Sequence, residues 1–142
     1  MSADETIRRK LTVDSNNQWF VSMWVDLRGR IEEVRFKVDT GCNAVVLSHN
    51  TLKKLGFSSK NEDLSKLPPE TGRLASGEKS DFRSSGAISL HADKNRTEHI
   101  CDVNAICHAT RKTNDLLGTA AFKQFLGVDF NLKGDKYMEL IK

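Results

Sequence analysis

Apolar and polar residues alternate with period two along most of this chain, and the few breaks in that period mark its turns. "QWFVSMWVDL" (18–27) sets Trp19, Val21, Met23 and Val25 against Phe20, Ser22, Trp24 and Asp26, the pattern of a half-buried strand. "RGR" turns the chain, and "IEEVRFKVD" (31–39) predicts a second strand, the pair making a hairpin around Gly29. "SHNTLKKLGF" (48–57) changes period: Leu52 and Leu55 lie three apart, Ser48 or Asn50 can cap, and Gly56 can stop a short helix. Residues 58–70 are polar and hold both prolines, so they predict a loop.

From Thr71 the pattern is again β. Residues 71–92 predict a hairpin with Ser76-Gly77 at its centre, and "HICDVNAIC" (99–107) predicts a further strand. Leu116-Leu117-Gly118 leads into a short helix, Ala120 to Phe125, which leaves through Gly127 into "VDFNL". "KGDK" is a turn signal and "YMELIK" a last strand. Residues 1–17 are polar and irregular and read as a flexible N-terminal arm, which leaves 18–142 as one domain. Many short strands and few helices predict an all-β fold, closed or sandwich-like.

Composition narrows the function classes. With 38% apolar and 29% charged residues and a net charge of +3, the chain has no dense Lys/Arg stripe for nucleic acid. Its apolar runs, such as "AVVL", fall far short of a membrane span, and "MSADETIRRK" lacks the apolar stretch of a signal peptide. Three cysteines without framework spacing fit a reducing compartment, so the expected location is cytoplasmic.

The candidate chemistry sits in "VRFKVDTGCNAVVLS" (34–48), where an apolar strand ends on Asp39-Thr40-Gly41 and Ala44-Val45-Val46-Leu47 follows almost at once. Taken alone, the tripeptide occurs by chance in roughly a few per cent of chains this long, and an Asp closing a turn needs no further purpose. Context weighs against that reading. An ionisable group between two buried segments costs desolvation energy unless something uses it. Some 70 residues on stands a second feature, Leu116-Leu117-Gly118 before a helix.

Hydrophobic-Asp-Thr-Gly, a Gly-centred hairpin, and hydrophobic-hydrophobic-Gly-helix, in that order, resemble a retropepsin-like (retroviral or retroelement-type) aspartic protease across residues 18–142. The resemblance implies an acid-protease fold: an all-β closed barrel with one or two short helices and one active-site Asp per chain. It implies an aspartic endopeptidase that works as a homodimer on an extended peptide or polyprotein, with no cofactor, metal, nucleic acid or membrane. Asp39 would be the catalytic carboxylate. Thr40 would tie the two active-site loops together, and Gly41 would give the turn room and accept from substrate backbone. Leu117 and Gly118 would support the loop from beneath. Asn43, Val46, Ser76 and Gly77 would contact substrate, the last two from a flap. The arm and "YMELIK" would supply interdigitated strands at the dimer interface. A retroelement origin would place the chain within a polyprotein or particle. The alternative is a non-proteolytic module that keeps the fold for dimerisation or peptide binding.

Two departures stand out. Retroviral members carry Asp and Arg, as a charged pair, where this chain has the neutral Asn43 and Thr119; losing both charges strands neither. Cys42 is either a small filler where Ala would otherwise sit or a redox-sensitive thiol beside the site. His99, Cys101, Cys107 and His108 suggest zinc only superficially, because along one strand the outer members lie too far apart to share an ion.

Overall fold

The computed structural model describes residues 5–57, 64, 66–73, 79–109 and 111–142. Its first hairpin follows from the alternation. Strand β2 (Trp19–Leu27) buries Val21, Met23, Val25 and Leu27, and β3 (Arg30–Val38) answers with Val34 opposite Met23 and Phe36 opposite Val21. Arg28 and Gly29 join them with φ of 54° and 85°, the left-handed pair that a two-residue turn matched to strand twist requires.

After β3 come β4 (Val45–Val46), helix α1 (His49–Lys54), β5 (Pro69–Arg73), β6 (Lys79–His91), β7 (His99–His108), β8 (Leu116–Leu117), helix α2 (Thr119–Phe122), β9 (Gly127–Asn131) and β10 (Tyr137–Ile141). With β1 (Thr6–Val13) the hydrogen-bonded order is β5-β6-β7-β4-β8-β3-β2-β1-β10-β9. An additional β6–β2 pairing, from Trp24↔His91 to Asp26↔Ser89, closes six of these strands into a barrel. The fold is thus mostly β with a closed barrel and, among the elements described, two short helices, as the pattern predicts. Val25, Phe36, Leu47, Ile88, Leu90, Ala105 and Leu117 meet inside it. Fully burying a side chain of Val or Leu size contributes about 1.5–3 kcal/mol relative to leaving it exposed.

The N-terminal segment differs from the loose arm expected over residues 1–17. Thr6–Val13 is a strand, paired with β10 from Thr6↔Ile141 to Lys10↔Tyr137 and with β2 from Leu11↔Val21 to Val13↔Trp19. The polar run "RRK" masks its period: Ile7 and Leu11 are each 2% exposed. Arg9, on the same face, sends its guanidinium to the Ser22 carbonyl, at 3.0 and 3.3 Å. β10 lies between β1 and β9, so the strands expected to interdigitate with a second copy pair with each other. The second helix is also shorter than the expected Ala120–Phe125: α2 ends at Phe122 and the chain turns before β9.

Candidate active site

Strands β3 and β4 enclose the Asp39 turn but are not paired with each other. β8 is threaded between them, parallel to β3 (Lys37↔Leu116, Val38↔Leu117) and antiparallel to β4 (Val45↔Leu117, Val46↔Leu116). Two Val residues in β4, both buried, and Leu116-Leu117 in β8, half-buried and buried in turn, suit so enclosed a position. The backbone completes the junction. Asp39 N–H donates to Leu117 O at 3.1 Å, Thr119 N–H to Cys42 O at 2.9 Å, and Ala120 N–H to Asn43 O at 2.9 Å. Within the turn, Cys42 N–H donates to Asp39 O at 3.1 Å, and Gly41 N–H donates to Asp39 Oδ1, also at 3.1 Å.

Gly118 makes this geometry possible. A Cβ there would lie 2.3 Å from both Cys42 O and Ala44 O, inside the contact radius of backbone atoms that cannot move aside. Gly41 is different: a Cβ would meet only Asp39 Oδ1, at an ordinary 3.4 Å. The turn by itself does not demand glycine at 41.

A second carboxylate braces the junction from the other end. Asp115 O accepts from Lys37 N–H at 2.9 Å. Its Oδ1 accepts from Ser48 N–H at 2.7 Å, and its Oδ2 from Thr51 Oγ1 at 2.9 Å. Ser48 in turn caps α1, its Oγ accepting from Thr51 N–H at 3.2 Å. The sequence reading missed Asp115. Its signal was present, an acidic residue immediately before Leu116-Leu117-Gly118, far in sequence from the Ser-x-x-Thr cap it satisfies.

With this geometry in view, known proteins divide sharply. No family model matches the chain, and no curated protein matches its sequence. Among solved structures it is similar to a retropepsin-like aspartic protease from Rickettsia conorii, with a TM-score of 0.60 and 18% identity over 99% of this chain and 96% of that one. The fold is retropepsin-like.

Onto this retropepsin-like fold the candidate residues map unevenly. Asp39 is half-buried at the turn, with Thr40, Gly41 and Asn43 exposed beside it. Leu117 and Gly118 are buried directly against the turn. Val46 is 2% exposed, and its backbone is paired with Ile106 of β7 on one side and Leu116 of β8 on the other. Ser76 and Gly77 lie outside the described residues; the arms that lead to them, β5 and β6, run antiparallel from Pro69↔Arg83 to Arg73↔Lys79. The neutral positions 43 and 119 do come together, joined through the backbone bonds of Cys42 and Asn43 to α2, and Thr119 Oγ1 is buried there without a hydrogen-bond partner among the described residues.

The three thiols separate by environment. Cys42 is half-buried and its Sγ donates to Ala44 O at 3.4 Å, within the same loop. Burial pushes the Cys101 thiol up to about 12 and the Cys107 thiol up to about 11, so both stay protonated core groups at neutral pH. His99 turns away from them, its Nε2 2.8 Å from Asp102 Oδ1. Among the described residues no cluster of three or more His, Cys, Asp or Glu side chains is placed to hold a metal, and no helix is long and apolar enough to cross a membrane.

Proposed function

We propose that this chain is an aspartic endopeptidase whose active form is a homodimer, with residues 6–142 as the catalytic unit and Asp39 as the carboxylate each copy contributes. One observation carries the reading: a half-buried Asp at a turn whose backbone is fixed by the threaded β8 strand, while among the described residues its carboxylate has a single hydrogen bond, from Gly41. A structural Asp at such a place would be satisfied by its own chain.

Two copies supply what one cannot. Carboxylates held close together cannot both ionise, so the pair shares a proton, as the aspartic-protease dyads that exemplify this effect do. The ionised member takes a proton from water, and that water attacks the peptide carbonyl. The protonated member donates to the carbonyl oxygen as the tetrahedral species forms. Breakdown returns a proton to the leaving amine, and no covalent intermediate is needed. The unfilled space at Gly41 then serves the groups that approach from outside, substrate backbone and the second loop, with Thr40 and Asn43 exposed on the same side. An extended peptide held under the β5–β6 hairpin would be shielded from bulk water.

The test compares wild type with Asp39→Ala on a complex peptide mixture over about pH 4 to 7, where a shared-proton dyad operates, read by mass spectrometry. Cleavage by wild type alone, rising faster than linearly with protein concentration, supports the dimeric protease. Absence of cleavage from a folded, dimeric wild type would assign the chain to the non-proteolytic, peptide-binding class.

A further inference from the structure

β1 changes partner part-way along its length. It pairs with β10 as far as Lys10↔Tyr137, and from Leu11 it pairs with β2 instead. Leu11 N–H still donates to Lys136 O at 3.0 Å, but past that bond the two chains part. A groove of about 840 Å³ opens there, with Leu11, Thr12 and Val13 on one wall and Gly134, Asp135 and Lys136 on the other. Its volume falls within the range of about 300–1,000 Å³ usual for ligand sites. The second wall is held in shape, because Asn131 Nδ2 donates to Lys133 O at 3.0 Å and to Asp135 O at 2.7 Å across the β9–β10 turn.

Two features of the groove select its occupant. The first is backbone. Along an antiparallel pair, successive residues turn their N–H and C=O alternately toward the partner strand and away from it. Asp14 N–H donates to Gln18 O at 3.0 Å, on the β2 side, and Leu11 N–H points to the other side. Val13 therefore faces its N–H and C=O into the groove, where they have no partner among the described residues. That is an open strand edge. The second feature is charge. Lys10, Lys133 and Lys136 are exposed and carry no carboxylate partner among the described residues. Arg8 is held by Glu139 at 2.9 Å and lies over the Tyr137 ring, 3.9 Å from its centroid. Against these cations the groove wall sets one acid, Asp135.

We propose that this groove binds an extended acidic polypeptide segment, added as a strand on the Val13 edge with its carboxylates toward Lys10 and Lys136. Strand addition supplies backbone hydrogen bonds, and side chains at alternate positions supply selectivity, so a peptide with an acid at every second position fits. A nucleic acid would find the same lysines, but it cannot continue a strand ladder, and Asp135 has the wrong sign for its phosphates. The groove is separate from the Asp39 turn. Val13 pairs with Trp19 of β2, and Phe20 with Lys37 of β3, so Val13 stands two strand spacings, roughly 10 Å, from the end of β3 that leads into Asp39. The proposal goes beyond the protease reading and does not depend on it. Where both hold, an acidic stretch of the substrate is anchored beside the cleft instead of within it.

The test is fluorescence anisotropy with a short, capped, fluorescein-labelled peptide of alternating Glu and Thr. A matching Gln-Thr peptide and a short oligothymidylate of equal charge serve as comparisons. The Glu peptide should bind wild type and Asp39→Asn alike, and at least roughly tenfold more tightly than the Gln peptide. Reversing the groove charges with Lys10→Glu and Lys136→Glu together should weaken it by at least roughly tenfold. The same reversal on helix α1, Lys53→Glu with Lys54→Glu, should change it by less than about twofold. Val13→Pro removes the N–H that faces the groove and leaves the β1–β2 bonds in place. It should weaken the Glu peptide by at least roughly threefold and leave the oligothymidylate unchanged. No binding of the Glu peptide, or binding indifferent to the groove variants, overturns the proposal. Oligothymidylate that binds at least as tightly, whatever stands at position 13, overturns it in favour of a phosphate-binding surface. A charge reversal that alters only the sedimentation of the protein, with no peptide bound, overturns it in favour of a contact between copies. The two readings fail separately: a protein that binds the Glu peptide and cleaves nothing keeps the groove, and one that cleaves peptides without this binding keeps the protease.

Discussion

Asp39 and Asp115 stand at opposite ends of the same short ladder, β3 against β8, and their carboxylates are treated differently. Both residues are half-buried. Asp115 has each oxygen taken, by Ser48 N–H at 2.7 Å and Thr51 Oγ1 at 2.9 Å, and thereby ties α1 to the β8 strand. Asp39 has one hydrogen bond from its own turn, at 3.1 Å. Burial alone does not distinguish a structural carboxylate from one open to chemistry. The distinction lies in whether the chain itself fills the lone pairs.

Everything in that contrast depends on β8 staying wedged between β3 and β4, so the largest effect is expected at Gly118. Gly118→Ala drives a Cβ to 2.3 Å from two backbone carbonyl oxygens, and relief requires the Asp39 turn and β4 to separate. The expected loss is about 3 kcal/mol or more in denaturant unfolding, if the variant folds at all, with cleavage lost as well. Gly41→Ala is the control, since its Cβ meets nothing closer than 3.4 Å within the chain. It should fold with stability close to wild type and yet lose activity, because the space it fills belongs to groups outside the chain. Equal stability of Gly118→Ala and wild type would show that the turn is not fixed in the way the contrast requires.

Exchanging each carboxylate for an amide separates the two roles directly. Asp115→Asn can keep an oxygen for Ser48 N–H only by setting its NH2 against Thr51 Oγ1. That hydroxyl must then turn from donor to acceptor while it already accepts from Ser48 Oγ at 3.1 Å, and the loss of the charge-assisted bonds should cost about 1–3 kcal/mol of stability. Asp39→Asn keeps an oxygen for Gly41 N–H, so unfolding should shift by no more than about 0.5 kcal/mol. Its cleavage rate should fall by about 10²–10⁴-fold, the range lost when general acid–base catalysis is removed. If Asp39→Asn destabilised the fold as much as Asp115→Asn, Asp39 would be a strut like its counterpart.

Much of this was legible in the sequence, and the residues that were not share a cause. β2 and β3, the turn at Gly29, the Ser48 cap and the Gly118 junction are written in local patterns: alternation, a left-handed turn residue, a capping hydroxyl, an apolar pair before Gly. β1 was hidden because Arg9 occupies a core-side position and reaches a carbonyl instead of packing, which breaks the apolar period between Ile7 and Leu11. Asp115 was hidden because its partners lie 64 and 67 residues away, beyond any window of periodicity. Val46 is 2% exposed, and in the core it is Val45, its neighbour on the two-residue strand, that joins the main cluster, so the pair divides between the two faces of β4.

The smallest effect tests whether hydrogen bonds alone make a carboxylate structural, or whether seclusion from water is needed too. Asp102 has two partners like Asp115: Ser89 Oγ at 2.6 Å and His99 Nε2 at 2.8 Å, both on Oδ1. Its side chain is 68% exposed, however. The hydrogen bonds from Ser89 and His99 hold its carboxyl below the ordinary carboxylate range. A carboxyl whose pKa is lower folded than unfolded adds stability that is fully present above the unfolded value, about 3.9, and fades as pH falls through the folded one. Wild type should therefore exceed Asp102→Asn in stability at pH 7, and the gap should close as pH drops below about 4. Solvent screening at so exposed a position limits that gap to about 0.5 kcal/mol. Urea unfolding of the two proteins at both ends of this range measures it. A gap at pH 7 as large as that of Asp115→Asn would mean that partner count by itself sets the role, and the contrast between Asp39 and Asp115 would reduce to a difference of two hydrogen bonds against one.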